Sequence, residues 1–349
     1  MRFKNTLSIH MTVFAVVFLA GIFTLVVAFA QAPDRATIAF STNDEAQGGI
    51  WLVDIDVRGG QGKGDVHVQN QRVLLAIDGN PIPLGLVWSP DGRRIAFHTE
   101  IDENTDVYVV DSDGQNLRRL TDHEAEDSWP SWHPGGEKIA FCTNRDGNFE
   151  VYVMSSTGQG LFNLTNDPAK DREPDWSRNG RLIAFASKRG KSLGDIWVMD
   201  SSGGNLKNIT DVRGEDMQPR WSWDGQKIAW TSRRNGNDEV MTMDAADGGN
   251  LLKISDLKDA RSQGRPNREP SWKPDGRAIA APALGGGKSF IMIHPADGSL
   301  QWQDLPAVGI QNRSPTWFDP EYVIEEFSVS PAEKQVSTWG WIKQAVQNN

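Results

Sequence analysis

Cysteine is almost absent from this chain. Cys142 is the one thiol in 349 residues, so no internal disulfide holds the fold. Stability must come from a buried core, and a chain of this length has ample material for one large domain. Cys142 directly follows Ile139-Ala140-Phe141 in an alternating run, which predicts a buried, inert thiol. No cysteine stands near the amino-terminal apolar run, which excludes a lipid anchor attached through cysteine. Positive charge is also short: 36 Lys and Arg face 46 Asp and Glu, a formal net charge of −10. A chain of that sign repels nucleic acid and anionic lipid. Helical periodicity is a third absence, since no window of the repeated region brings apolar residues back every three to four positions.

What fills the chain instead is one short phrase, written repeatedly. WSRNGRLIAF runs from Trp176 to Phe185, with WSPDGRRIAF from Trp88 and WHPGGEKIAF from Trp132. WSWDGQKIAW follows from Trp221, a weakened WKPDGRAIAA from Trp272, and half a copy, WFDPEYVIEEF, from Trp317. The tryptophans are spaced by 44, 44, 45, 51 and 45 residues, a period that marks an array of one supersecondary unit. Within the copy from Ser128 to Thr165, SWPSW, KIAFCT, EVYVMS and LFNLT are separated by PGG, RDGN and TGQG. Proline and glycine there preset tight turns, and the intervening runs alternate. The unit is therefore four antiparallel strands of about five residues. A lone unit of that size cannot cover both faces, whereas radial stacking buries them and leaves only short protected edges. The recurrent tryptophan, always at one place in the unit, is assigned to packing between units.

The repeat resembles the beta-propeller repeat of TolB-type proteins, P-x-W-S-P-D-G-x-x-I-A-F followed by a turn and an I-Y-V-M-D-like strand. Pro130, Pro174, Pro219, Pro270 and Pro315 each stand two residues before the tryptophan, and the likeness extends from about Ala36 to Phe327. Full TolB proteins also carry an amino-terminal α/β domain, for which this chain has no room; the resemblance is to the propeller alone. The expected fold is all-β: a six-bladed propeller of four-stranded antiparallel blades over residues 33–327. Second strands at Ile38, Ile95, Ile139, Ile183, Ile228 and Ile279 give the count of six. The first blade lacks a tryptophan-bearing opening strand and the last opening strand, around Trp317, lacks a blade, so the carboxyl-terminal strand is expected to close the ring.

At the amino terminus Arg2, Lys4 and His10 precede an uncharged apolar run from Met11 to Ala30. Ala28-Phe29-Ala30 offers the small-x-small pattern of signal-peptidase cleavage, giving residues 1–30 as a signal peptide. Twenty apolar residues are also enough to span a bilayer, so an uncleaved anchor is the alternative, and contact with a membrane would then run through residues 11–30 only. Either way the propeller is expected outside the cytoplasm, periplasmic or extracellular. Cleavage leaves 34 basic against 46 acidic groups, a net charge of −12. Two insertions, Arg58–Asp65 and Asp256–Arg268, and a tail, residues 328–349, carrying Trp339 and Trp341, depart from the repeat.

Several stretches imitate catalytic motifs. Gly190-Lys191-Ser192-Leu193-Gly194 fits G-x-S-x-G, but that motif needs a strand-turn-helix elbow and this one falls in a hairpin. Gly285 to Ser289 imitates a phosphate loop with Pro282 at the first glycine position and a strand after it. Asp111-Ser112-Asp113-Gly114 occupies the turn that SSTG and SSGG fill in other copies. His67, His98, His123, His133 and His294 fall at unlike places in the repeat, which gives no sign of converging metal ligands. No catalytic set, cofactor or metal is read from the sequence.

The binding candidates are the polar residues just before each P-x-W: Glu126 and Asp127, Asp171, Arg172 and Glu173, Glu215 and Asp216, Arg268 and Glu269, and Arg313. With the tryptophan strand innermost, they ring one mouth of the central channel. In TolB-like proteins this face and channel receive partner proteins, and the resemblance implies the same here. The expectation is an exported, monomeric, non-catalytic scaffold that binds a protein or peptide of the cell envelope. The alternatives are a carbohydrate-binding or lyase-like propeller, and charges that only pair to hold the blades.

Overall fold

The computed structural model describes residues 15–19, 22–26, 35–42, 48–58, 65–77, 82–101, 104–190, 193–210, 214–234, 237–254, 269–285, 288–298, 303–304 and 312–318. The chain divides into two compact units, Met1–Asp34 and Arg35–Asn349. In the first, Ala15–Leu19 and Ile22–Val26 pair as an antiparallel hairpin rich in β-branched and aromatic residues. Among the described residues no helix is long and apolar enough to cross a membrane.

The second unit is a ring of six four-stranded antiparallel sheets. Blade 2 comprises Leu84–Trp88, Arg94–Ile101, Asn104–Asp111 and Arg118–Arg119; blade 3 comprises Asp127–Trp132, Lys138–Thr143, Glu150–Ser155 and Phe162–Asn163. Blade 4 is Asp171–Trp176, Leu182–Ser187, Asp195–Asp200 and Lys207–Asn208; blade 5 is Glu215–Trp221, Lys227–Arg234, Asn237–Asp244 and Leu252–Lys253. Blade 6 is Ser271–Trp272, Ala278–Gly285, Lys288–Pro295 and Gln303–Asp304. Blade 1 draws on both ends of the unit. Asn312–Phe318 pairs with Arg35–Thr42, which pairs with Gly49–Arg58 and then Asp65–Ala76. The expected closure by the strand around Trp317 is therefore what the fold does, in the register Trp317 opposite Ile38.

The Ile-Ala-Phe phrase explains how blades stack. Side chains alternate along a strand, so Ile and Phe share one face and Ala takes the other. Ala39 of blade 1 packs with Ile95, Phe97 and Trp88 of blade 2; Ala96 of blade 2 packs with Ile139, Phe141 and Trp132 of blade 3. Ala140, Ala184, Ala229 and Ala280 repeat this against the following blade. Each interface thus fits a large face into a small one, and the six clusters together form the core. The tryptophans belong to the same interfaces. Trp317 donates its indole N–H to the Ser271 carbonyl (3.0 Å), Trp272 to Arg220 (3.1 Å) and Trp88 to Thr316 (3.3 Å), each reaching the preceding blade.

Outermost strands are shorter than the five residues the sequence suggests: in blades 2 to 6 they pair over two residues. In blades 2 to 4 a side chain substitutes for the missing ladder. Thr121, Thr165 and Thr210 accept, through Oγ1, the backbone N–H of Val107, Val151 and Ile196 at 3.0, 3.0 and 2.8 Å, so the third strand's donors are met without a longer ladder. Asp111 to Gly114 forms the expected turn, closed by Gly114 N–H to the Asp111 carbonyl (2.9 Å). Residues 59–64 of the first insertion, the whole of the second, and the tail with Trp339 and Trp341 lie outside the described residues.

Candidate functional site

The first strands abut one another in succession and wall a central bore. Three residues before each tryptophan the backbone is left-handed, at a bulge in five blades and just ahead of the strand in blade 6: Gly85 (φ 60°), Trp129 (56°), Glu173 (57°), Gln218 (56°), Glu269 (55°) and Ser314 (50°). Five of these are not glycine, and a strained backbone of this kind persists only where its surroundings hold it. Here they do, through a hydrogen-bond circuit in which each blade accepts from the next. Glu173 Oε2 accepts the Gln218 N–H (2.7 Å), Gln218 Oε1 the Glu269 N–H (3.0 Å), and the Ser314 hydroxyl the Gly85 N–H (3.0 Å). Ser314 Oγ in turn donates to the Glu269 carboxylate. Gly85 and Trp129 carry no acceptor, so the second strands of their blades supply one. His98 Nδ1 accepts the Trp129 N–H (3.2 Å), and Cys142 Sγ receives the Glu173 N–H. Gly85 has to be glycine on a second count, because a Cβ there would lie 2.9 Å from His98 Nδ1.

Burial sets the charge of these groups. It holds the His98 imidazole down to about 3, with the Arg172 charge adding to the effect, so the ring is neutral and Nδ1 is an acceptor. It pushes the Cys142 thiol up to about 11 and raises the Glu173 carboxyl, against the pull of the Gln218 N–H. A thiol held this far from its thiolate is a poor nucleophile. Native protein is accordingly expected to resist iodoacetamide at pH 8 while urea-unfolded protein is alkylated; equal rates would place Cys142 at the surface.

The residues before P-x-W fall into two kinds. Asp127 and Asp171 are fully buried, and Asp216 nearly so. Each is clamped by its own blade: both oxygens of Asp127 accept from Arg145 Nη2 at 3.0 Å, Asp171 accepts from Arg189 Nη2 at 2.7 Å, and Asp216 accepts from the Ser232 hydroxyl. Glu173 and Glu269 belong to the bulge circuit. The other kind is half-buried. Glu126 and Arg172, 39% and 37% exposed, pair across blades 3 and 4 at 3.3 Å, and Arg172 also covers the Phe149 ring. Lys188 reaches Glu215 across blades 4 and 5 (3.4 Å), and Arg233 holds Glu215 from within blade 5 (2.9 Å). Arg313 lies on the closing strand; Arg268 lies outside the described residues.

The other half of the bore, from the bulges to the first-to-second-strand turns, holds a half-open cavity of about 120 Å³ lined by all six first strands. The residue before each tryptophan faces it: Val87, Ser131, Asp175, Arg220, Ser271 and Thr316. Asp175 Oδ2 accepts the Trp221 N–H (2.8 Å), and Ser131 Oγ accepts the Trp176 N–H (3.1 Å) while donating to Asp175 Oδ1 (3.3 Å). Burial pushes the Asp175 carboxyl up to about 6, opposed by the nearby Arg220 charge. Two residues past the tryptophan, blade 4 has Arg178, whose guanidinium lies 3.8 Å over the Trp223 ring of blade 5. Burial brings Arg178 down to about 10. Sequence reading passed over these four; the signal was the loss of the repeat's proline at 178 and 223, visible once the copies are aligned. Among the described residues no three His, Cys, Asp or Glu side chains converge as metal ligands.

Comparison with known proteins agrees with this architecture. Crystallographic TolB from Acinetobacter baumannii superposes with a TM-score of 0.67 at 24% identity, over 81% of this chain and 66% of that one, so the present chain spans about two thirds of its length. The putative TolB from Agrobacterium tumefaciens matches with a TM-score of 0.50 at 21% identity, over 79% of this chain and 100% of that one. Kuenenia stuttgartiensis hydrazine synthase matches at 0.62 with 14% identity, over 84% and 47%. At these identities the likeness is one of fold. No curated protein matches in sequence. The sequence family described as the TolB beta propeller domain matches residues 26–189 and 128–321, and the chain belongs to that family.

Proposed function

We propose that this chain is an exported, non-catalytic propeller that captures a protein or peptide partner of the cell envelope at the mouth where the first strands begin. The observation that carries the reading is the division of labour among the charges there. The buried aspartates, with Arg145 and Arg189, brace the first strand of a blade against the rest of that blade. The solvent-reached interblade pairs, Glu126 with Arg172 and Lys188 with Glu215, lie on three successive blades and contribute little to stability through their charges, as ion pairs open to water generally do. Such pairs can exchange partners with an incoming charged surface at little cost to the ring, and complementary charge of this sort sets register and encounter rate. Export rests on the apolar run ending at Ala28-Phe29-Ala30.

Alanine at Asp127 or Asp216 is a poor probe because it removes a clamp. The suitable variant combines Glu126→Gln, Arg172→Gln and Glu215→Gln. Expected is a protein retained from an envelope extract by the native propeller and lost by the variant, with a cooperative melt kept by both. Equal retention by both overturns the proposal, and stoichiometric metal with saturable oligosaccharide binding at this mouth would replace it with the carbohydrate reading.

A further inference from the structure

We propose that the seam between blades 5 and 6 is an acid-sensitive joint of the ring: a proton taken up by His294 parts these two blades while the other seams stay closed. One position of the third strand sets this seam apart. Opposite the isoleucine of each second strand stand Val53, Val110, Met154, Met199 and Met243 in blades 1 to 5, and His294 in blade 6. Ile291 and Ile293 face blade 1, so alternation along the strand turns His294 toward blade 5. The packing there is apolar. Ala229, Val240 and Ile254 of blade 5 meet Trp272, Ile279, Ala281 and Ala296 of blade 6, with Trp223 against them. His294 is 4% exposed, and its Nε2 has no hydrogen-bond partner among the described residues.

No nearby charge compensates an imidazolium. The charged side chains of the flanking blade 5 strands engage one another: Lys227 with Asp244 and Lys253 with Glu239, both at 2.8 Å, and Arg233 with Asp238 at 2.7 Å. Arg234 donates Nε to Ser232 Oγ (2.9 Å). On blade 6, Lys273 pairs with Asp275, and the second strand, Ala278–Gly285, carries no charge. Burial alone brings the His294 imidazole down to about 4. A neutral ring therefore fits this seam, whereas a charge buried without a partner is costly. Opening returns the imidazole to water and to its ordinary value of 6.5. Its contribution to closure is fully present above pH 6.5 and is lost as the pH falls toward 4.

The same seam has the shortest inner wall. The first strand of blade 6 is Ser271–Trp272, two residues, where the other blades have five to seven. Other seams answer acid differently. His98, between blades 2 and 3, accepts the Trp129 N–H and is held down to about 3, so it stays neutral at a pH that charges His294. Asp175 bonds to both blade 3 and blade 5, and burial pushes it up to about 6. Its protonated form suits the fold, so mild acid favours those two seams.

Hydrogen exchange of the full chain, read by mass spectrometry at pH 7.5 and pH 4.5 and corrected for intrinsic rates, tests the joint. Asn237–Asp244 and Lys288–Pro295 should open on the order of 50- to 100-fold more often at pH 4.5, the factor for a group near 4 released to 6.5. Blades 2 to 4 should show no such increase. His294→Met, the residue of blades 3 to 5, should abolish the acid response; His294→Gln, polar but without a titrating proton, serves if methionine does not pack. The triple variant at Glu126, Arg172 and Glu215 should respond like native protein, so failure of the mouth proposal leaves this one standing. An acid response that survives both His294 variants, one shared by all six blades, or none at all would each overturn it.

Discussion

A chain ending at residue 311 should fail to form the ring. Removing Asn312–Phe318 strips the hydrogen-bonded neighbour from Arg35–Thr42 and turns that strand into an exposed edge, a template for pairing with other chains. It also removes Trp317, which is 2% exposed and packs among Ile38, Phe40, Ile291 and Ile293 between blades 6 and 1. Trp317→Ala alone should cost about 3–5 kcal/mol, because a buried cavity forms and the Ser271 carbonyl loses its donor. The truncated chain is expected to elute as aggregates or as strand-exchanged oligomers, with a lowered melting temperature. A monomer with an unchanged melt would mean that closure contributes nothing.

Arg145→Ala should destabilise the protein by about 3–5 kcal/mol, a loss far larger than a surface ion pair explains, because it leaves Asp127 buried without its partner. Arg145 is itself mostly buried, donates through Nε to Thr143 Oγ1 (3.2 Å), and lies against Phe141 and Tyr152. The double variant Asp127→Val with Arg145→Leu should recover much of the loss, since it withdraws both charges and fills the space. Urea denaturation followed by tryptophan fluorescence gives the three values. A single-variant loss under about 0.5 kcal/mol, the range of ordinary surface substitutions, would show that water reaches the clamp.

The blade count, the interblade tryptophans and the closing strand were legible because each rests on a periodic signal: the Trp spacing, Ile-Ala-Phe, and the two incomplete copies at Thr37 and Trp317. The bulges were not. A left-handed residue is ordinarily betrayed by glycine or asparagine, and only Gly85 fits; Trp129, Glu173, Gln218, Glu269 and Ser314 are held there by partners on neighbouring blades, about 45 residues away in sequence. The proline that follows all five of them points toward extended backbone instead. The burial of Asp127, Asp171 and Asp216 did have a local signature that went unused. Thr143-x-Arg145, Ser187-x-Arg189 and Ser232-x-Arg234 place a hydroxyl and a guanidinium opposite each aspartate. Arg178 and Trp223 stood out only by what they replace, and absence of a proline is a weak signal in a single copy.

The circuit of bulges has a bearing on how such a protein changes over time. In five of the six blades the backbone N–H is met by whatever acceptor the preceding blade happens to present: a carboxylate from Glu173, an amide from Gln218, a hydroxyl from Ser314, an imidazole from His98, a thiol from Cys142. Geometry is common to all six positions and chemistry is not. A substitution at one of them orphans at most the next blade's donor, and a neighbouring strand has twice supplied the replacement. The bore's frame is thereby uncoupled from its lining. Six side chains can be exchanged one at a time around a fixed wall, which lets a single architecture be respecified for different ligands without being refolded.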